Sequence, residues 1–217
     1  SFDVETDFTP ISSLNDISNV LMVNPAVLDA GSIPEFIGKV KAAPGKYNYA
    51  STGNGTGTHL AFAEFVHKAG LQMVHVPYKG GPEAIQGVLA GDTCCIFNQV
   101  QTALPHYRAG KVRLLGVTTK KRISAIPEVP TIDEAGLPGF ESYTWFGIFA
   151  PKGLDPMIAQ KMHAALKIAL EVPATQKKLA DLGHTARYQP LEQFRPTVKA
   201  DRATRPEVVT AIGPTHD

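Results

Sequence analysis

No stretch of this chain stays apolar for the roughly 20 residues that a membrane-spanning helix needs. Its start also lacks the succession of basic, apolar and small residues that marks a secretory signal, so no signal peptide is expected in it and the chain reads as mature or trimmed. Cysteine is scarce: Cys94 and Cys95 are the only two among 217 residues, and a bridge between immediate neighbours requires a strained ring. A disulfide scaffold is thereby excluded, and cysteine usage leaves the compartment open. Excess charge is missing as well, with 21 basic against 20 acidic residues and a net charge of +1. Without a basic stripe to meet phosphates, nucleic acid is not an expected partner. Repeats, low-complexity tracts and heptad arrays are also lacking.

What is present is a hydrophobic content of 43%, enough at this length to bury the core of one large domain or two small lobes. Short β-like runs alternate with amphipathic helical segments, the pattern of an α/β fold with a mostly parallel sheet. Extended runs are expected at Asn19–Val23, Tyr47–Ser51, Met73–Val76, Thr93–Phe97, Val112–Thr118 and Tyr143–Ala150. A first helix begins near Ile33 and ends before Pro44 and Gly45. A second carries Phe62, Phe65, Val66 and Ala69 on one face and stops at Gly70; a third opens at Pro82 and ends at Gly91. Residues 119–139 hold Pro127, Pro130 and Pro138 with little periodicity and read as a passage over the surface between lobes. A later helix starts after Asp155 with Pro156 in its first turn, and its stripe of Ile158, Met162, Ala165, Leu166 and Ala169 is expected to be core.

Catalytic and metal signatures are weak. His59, His67, His75, His106 and His163 show neither H-x-x-x-H nor carboxylate-clustered spacing, so no metal and no cofactor is expected. A G-x-S-x-G elbow is missing, and Cys94 and Cys95 lie in an apolar strand that implies buried, inert thiols.

The most informative stretch is residues 47–60, where a strand runs through Ser51, Thr52, Gly53, Asn54, Gly55, Thr56, Gly57 and Thr58 into a helix. Amide N–H groups and hydroxyls gather there at the positive end of a helix, which favours an anion. Thr58 stands where a dinucleotide fingerprint needs its third glycine, and His59-Leu60 where a phosphate loop needs lysine and a hydroxyl. The plainer alternative is a tight strand-to-helix turn capped by a hydroxyl. Two further strand ends fall at the same edge: Val76 to Lys79, and Asn98. Lys79 reads equally as an anion attractor or a solvated lysine, and Asn98 as a ligand group or a helix cap. Trp145 reads as core. Convergence of three strand ends points to a ligand pocket.

The runs Tyr49-Ala50-Ser51 with Gly53-Asn54-Gly55-Thr56 and His59-Leu60, then Val74-His75-Val76-Pro77-Tyr78-Lys79-Gly80, resemble the Bug or TctC-like solute-binding proteins of tripartite tricarboxylate transporters. Ala103-Leu104-Pro105-His106, Val129-Pro130-Thr131, residues 134–140 and Trp145-Phe146-Gly147 extend the likeness from about Asp7 to about Leu191. The resemblance implies a type II periplasmic-binding-protein-like α/β fold of two lobes that closes on a small carboxylate, a di- or tricarboxylate, an aromatic acid or an acidic amino acid. It implies a periplasmic monomer that performs no chemistry and delivers its ligand to membrane subunits. Carried over by position, the ligand contacts are Ser51, Gly53, Asn54, Gly55, Thr56, Thr58, Tyr78 and Asn98.

On this reading residues 1–23 end the first lobe and cross over, 24–118 form the second lobe, 119–140 are the interlobe passage, and 141–217 return to the first lobe, which is incomplete. Departures from the family pattern are Asn98 where an aspartate is common, Arg205 in place of a tryptophan, and Pro196 and Pro206, expected to interrupt the C-terminal helix. The competing readings are a ligand-sensing module for a signalling partner and an enzyme using His59 or His106 as a base.

Overall fold

The computed structural model describes residues 3–212, which divide into two compact units. The larger is built on Ser18–Tyr143, the smaller on the residues up to Ile17 and on Thr144–Glu207. The chain passes between them inside two strands, β1 (Phe8–Val23) and β6 (Tyr143–Pro151).

In the larger unit β2 (Asn48–Ser51), β3 (Val74–Pro77), β4 (Cys95–Gln99) and β5 (Arg113–Val117) join the second half of β1 in the order β3-β2-β4-β1-β5. β2 runs parallel to β3 and to β4, whereas β1 is antiparallel to both β4 and β5. The expected parallel sheet is therefore present, with the crossing strand as its one reversed member.

Two helices close one face. α1 (Ile33–Lys41) starts where Ser32 Oγ accepts the Glu35 N–H, with a proline in its first turn. α2 (Gly57–Ala69) ends at Gly70, whose φ of 61° only glycine adopts at no cost, and the Leu71 N–H reaches back to Val66 O. Phe36 of α1 with Phe62 and Phe65 of α2 packs on Tyr49 and Phe97 of the sheet, all buried. The opposite face carries α3 (Gly81–Ala90) and α4 (Val100–Arg108), with Ala84, Ile85, Val88, Val100 and Ala103 against Val20, Met22, Ala50 and Ile96. Residues 119–140, read in the sequence as an interlobe passage, lie within this unit. Thr131 bridges Val117, and Ile126 and Val129 enter one core while Ile132 and Phe140 enter the other.

In the smaller unit the first half of β1 pairs with β6 and with β7 (His184–Ala186), and Phe194 of α7 (Leu191–Ile212) packs edge-on against Trp145. A Cβ on Gly147 would stand 2.4 Å from that phenyl ring, so the ring's seat requires glycine. The interruption expected at Pro196 and Pro206 is not there: α7 runs unbroken through both. Fully burying Phe194 is worth about 1.5–3 kcal/mol, comparable with the about 3 kcal/mol that an interior proline costs, which is how a proline two residues on is tolerated.

The stripe expected to be core on α5 (Pro156–Glu171) is open among the described residues: Ile158 is 48% and Met162 36% exposed, and only Leu170 is buried. Along with α6 (Pro173–Asp181), this helix leaves Met157, Ile168 and Val172 exposed too. An exposed side chain contributes little to folding, so Ile168→Glu should change the unfolding free energy by no more than about 0.5 kcal/mol in a urea titration. A loss several times larger would mean that this face is covered.

Candidate functional site: an amide cluster at the start of α2

The connection from β2 leads to α2 on one face of the sheet, while that from β4 leads to α4 on the other. Between the carboxyl ends of two such strands the sheet leaves a crevice, the usual ligand position in open α/β folds. Ala50 is in register with Ile96, so the loop that starts at Thr52 and the residue Asn98 stand at the same level.

The loop is held from within. Ser51 is fully buried and its Oγ accepts the Gly53 N–H at 3.1 Å, contacts Gly53 O at 3.1 Å and lies 2.7 Å from His75 Nε2. Gly53 and Gly55 have φ of 131° and 71°, which other residues rarely adopt. The Gly55 N–H donates to His59 Nδ1 at 3.1 Å. Thr52, Thr56 and Thr58 bring their hydroxyls together at 2.9–3.2 Å, and the Thr52 N–H donates to Thr58 Oγ1. Thr56 also donates to Gly53 O at 2.8 Å. With the Thr56 proton on that carbonyl and the Thr52 proton within reach of Thr56 Oγ1, the three hydroxyls form one connected cluster.

Thr56 is the N-cap of α2, yet it makes no side-chain capping bond. The first internal acceptor is Thr56 O, which takes the Leu60 N–H. The N–H groups of Gly57, Thr58 and His59 therefore have no acceptor among the described residues, at the end of a helix where partial positive charge collects. Burial holds both nearby histidines below their ordinary range, His75 at about 4 with proximity of His59 as the second cause. Neither ring therefore adds positive charge at neutral pH, and what positive potential the loop has comes from the helix-start amides.

The expected contacts divide into those that reach this cluster and those that do not. Thr56 and Thr58 belong to it, Asn54 is exposed beside it, and Gly53 and Gly55 shape it with their own N–H groups already engaged. Ser51 is an anchor of the loop rather than a free hydroxyl. The backbone of Tyr78 adjoins Gly53, but its phenol lies over Gly87, where an added Cβ would stand 2.1 Å from Oη. There it lines a surface groove between α3 and α4 together with His106. Asn98 is buried; its Oδ1 accepts the Gln99 N–H and its Nδ2 has no partner among the described residues. Sequence reasoning missed Thr52 and the anchoring by His59 and His75. The signal for His59 was its place four residues after Gly55, one helical turn from the loop. Among the described residues no three His, Cys, Asp or Glu side chains form a metal-holding group, and no helix is long and apolar enough to cross a membrane.

A mostly parallel α/β sheet with an unfilled helix start at its switch point, joined through two strands to a second α/β unit, defines a chain of the periplasmic-binding-protein class. It belongs to the TctC family, the receptors of the tripartite tricarboxylate transporter family, whose model matches residues 1–213. It is 35% identical over 211 residues to the UPF0065 protein in the gbd 5' region of Cupriavidus necator, covering 93% of this chain and 64% of that one. Among solved structures it is similar to R. palustris Rpa4515 with adipate, at a TM-score of 0.88 and 28% identity, over 98% of this chain and 71% of that one. It is likewise similar to MatC (Rpa3494) from Rhodopseudomonas palustris with bound malate, at 0.82 and 27%, over 96% and 71%. The chain thus spans under two thirds of the length of its Cupriavidus necator relative.

Proposed function

We propose that this protein captures a small dicarboxylate outside the cytoplasmic membrane and delivers it to the membrane subunits of a tripartite tricarboxylate transporter, without transforming it. The observation that carries the reading is the trio of unaccepted N–H groups at Gly57, Thr58 and His59, with the Thr58 hydroxyl beside them. A carboxylate placed there replaces its lost hydration with charge-assisted hydrogen bonds and completes the helix end. The buried, unpartnered Asn98 Nδ2 supplies a further donor at the same sheet edge, where an aspartate would repel a second carboxylate. Relatives solved with adipate and with malate support a ligand carrying a carboxylate at each end.

Catalysis is disfavoured by the state of the serine nearest a histidine: Ser51 Oγ is buried and engaged by Gly53. The test is thermal unfolding against malate, adipate, an aromatic acid, an acidic amino acid and a nucleotide. A ligand that binds only the folded state at 100 times its dissociation constant adds about 2.7 kcal/mol, so malate or adipate should raise the melting temperature by several degrees. Stabilisation by the nucleotide alone would overturn the carboxylate reading.

A further inference from the structure

Behind the loop runs a column of rings that carboxylate capture does not by itself require. Phe62 stacks on Tyr49 with centroids 4.2 Å apart, Tyr49 lies 5.0 Å from His75, and His75 stacks on His59 at 3.7 Å with the rings 6° from parallel. Both imidazoles are tied to the loop, His59 through the Gly55 N–H and His75 through Ser51 Oγ.

The first of these bonds fixes where the proton is. An amide N–H is accepted only by an unprotonated ring nitrogen, so His59 Nδ1 is bare and its hydrogen sits on Nε2. That Nε2 is buried and has no partner among the described residues. A proton added at Nδ1 would set two donors against each other and place a cation 3.7 Å from a second imidazole. The groups that face the pair are Tyr49 from β2 and the two rings themselves, on α2 and β3. The carboxylates of α2 and α3 are engaged with other groups: Glu64 pairs with Lys68, and Glu83 accepts the Lys79 N–H.

We propose that His59 and His75 form a proton-operated latch on the glycine loop: as neutral rings they hold Gly55 and Ser51 in place, and a proton taken up at His59 Nδ1 releases Gly55 and opens the loop. The latch is a property of the unliganded protein, and its consequence, discharge of the anion in acid, rests on the carboxylate reading. The sign follows from the low proton affinity of the folded state. An unfolded histidine protonates near 6.5 while burial lowers both His59 and His75 in the folded chain, so acid below that value favours the opened chain, and the preference vanishes above it.

The experiment is NMR without ligand. Long-range proton–nitrogen spectra at pH 7 should show His59 as the Nε2–H tautomer. On acidification the Gly55 amide resonance should move together with both ring signals, with a midpoint below the ordinary imidazole value of about 6.5. In His59→Phe, which keeps the stack and removes Nδ1, the Gly55 amide should be displaced at pH 7 and stay fixed through the same range. An Nδ1–H tautomer for His59, a Gly55 signal that ignores the rings, or one that moves equally in the variant would overturn the latch. Should that variant fail to fold, His75→Phe decides: removing the second titrating ring should raise the His59 midpoint, and an unmoved midpoint counts against the coupling. A malate titration at pH 7 is read separately, because absence of any response there defeats the carboxylate reading while the ring and Gly55 signals still judge the latch.

Discussion

With Gly57 replaced by proline, the larger unit should fold as before and bind malate or adipate about 10- to 100-fold more weakly. Position 57 is the first residue of α2, where a missing N–H costs the helix nothing and a fixed φ suits it. The residue before a proline must be extended, and Thr56 already is, at φ −71° and ψ 162°. The substitution therefore removes one of three free amides without disturbing the loop. A hydrogen bond to a charged group is worth about 1.5–3 kcal/mol, and each 1.4 kcal/mol is tenfold in affinity. Calorimetric titration of wild type and variant measures the change, with the melting temperature of the unliganded variant as the control for folding. Unchanged affinity in a well-folded variant would remove Gly57 from the site and move the ligand elsewhere along the sheet edge.

Much of the larger unit was legible because periodicity and punctuation agree there. Gly70 and Gly91 end α2 and α3 with left-handed caps, and Phe62 and Phe65 lie one turn apart on the buried face, as helical spacing requires. The first half of β1 was not legible, since Ser12, Ser13 and Asn15 are buried polar residues in a segment without alternation. Its polar groups are satisfied across the fold: Ser12 Oγ reaches Gln189 O, Asn15 Nδ2 meets His184 Nδ1, and Asp16 pairs with Arg187. Such partners lie some 170 positions away in sequence and leave no local mark. The α5 stripe failed for the converse reason, because an apolar face shows the capacity to pack but not whether anything packs on it.

The candidate site divides along the same line. Three glycines and three threonines around the start of a helix announce an anion-accepting turn, and the unfilled start of α2 agrees with that chemistry. Which amides remain free was hidden, because Gly53 is taken by Ser51 and Gly55 by His59, one through a turn within the loop and the other through a ring one helical turn away. The place of the Tyr78 phenol was hidden for a steric reason: only a glycine at position 87 leaves room for it there.

Phe65→Ala should be the most damaging single change in the larger unit, at about 3–5 kcal/mol. Phe65 is fully buried and meets four other rings, Phe36 at 5.9 Å, Phe62 at 5.8 Å, Phe97 at 5.6 Å and Phe140 at 5.7 Å. Those rings belong to α1, α2, β4 and the segment after β5, so the cavity left by alanine is walled by four separate elements and cannot close by a shift of one. Edge-to-face contacts with Phe62, Phe97 and Phe140 would be lost along with the burial itself. Urea unfolding followed by far-ultraviolet circular dichroism measures the change, and the midpoint should fall while the slope is retained. The same measurement on Ile168→Glu supplies the contrast, since that side chain is 67% exposed. A loss below about 1 kcal/mol for Phe65→Ala would mean that the ring cluster relaxes freely. The frame that holds the start of α2 against β2 and β4 would then be looser than amide-directed capture demands.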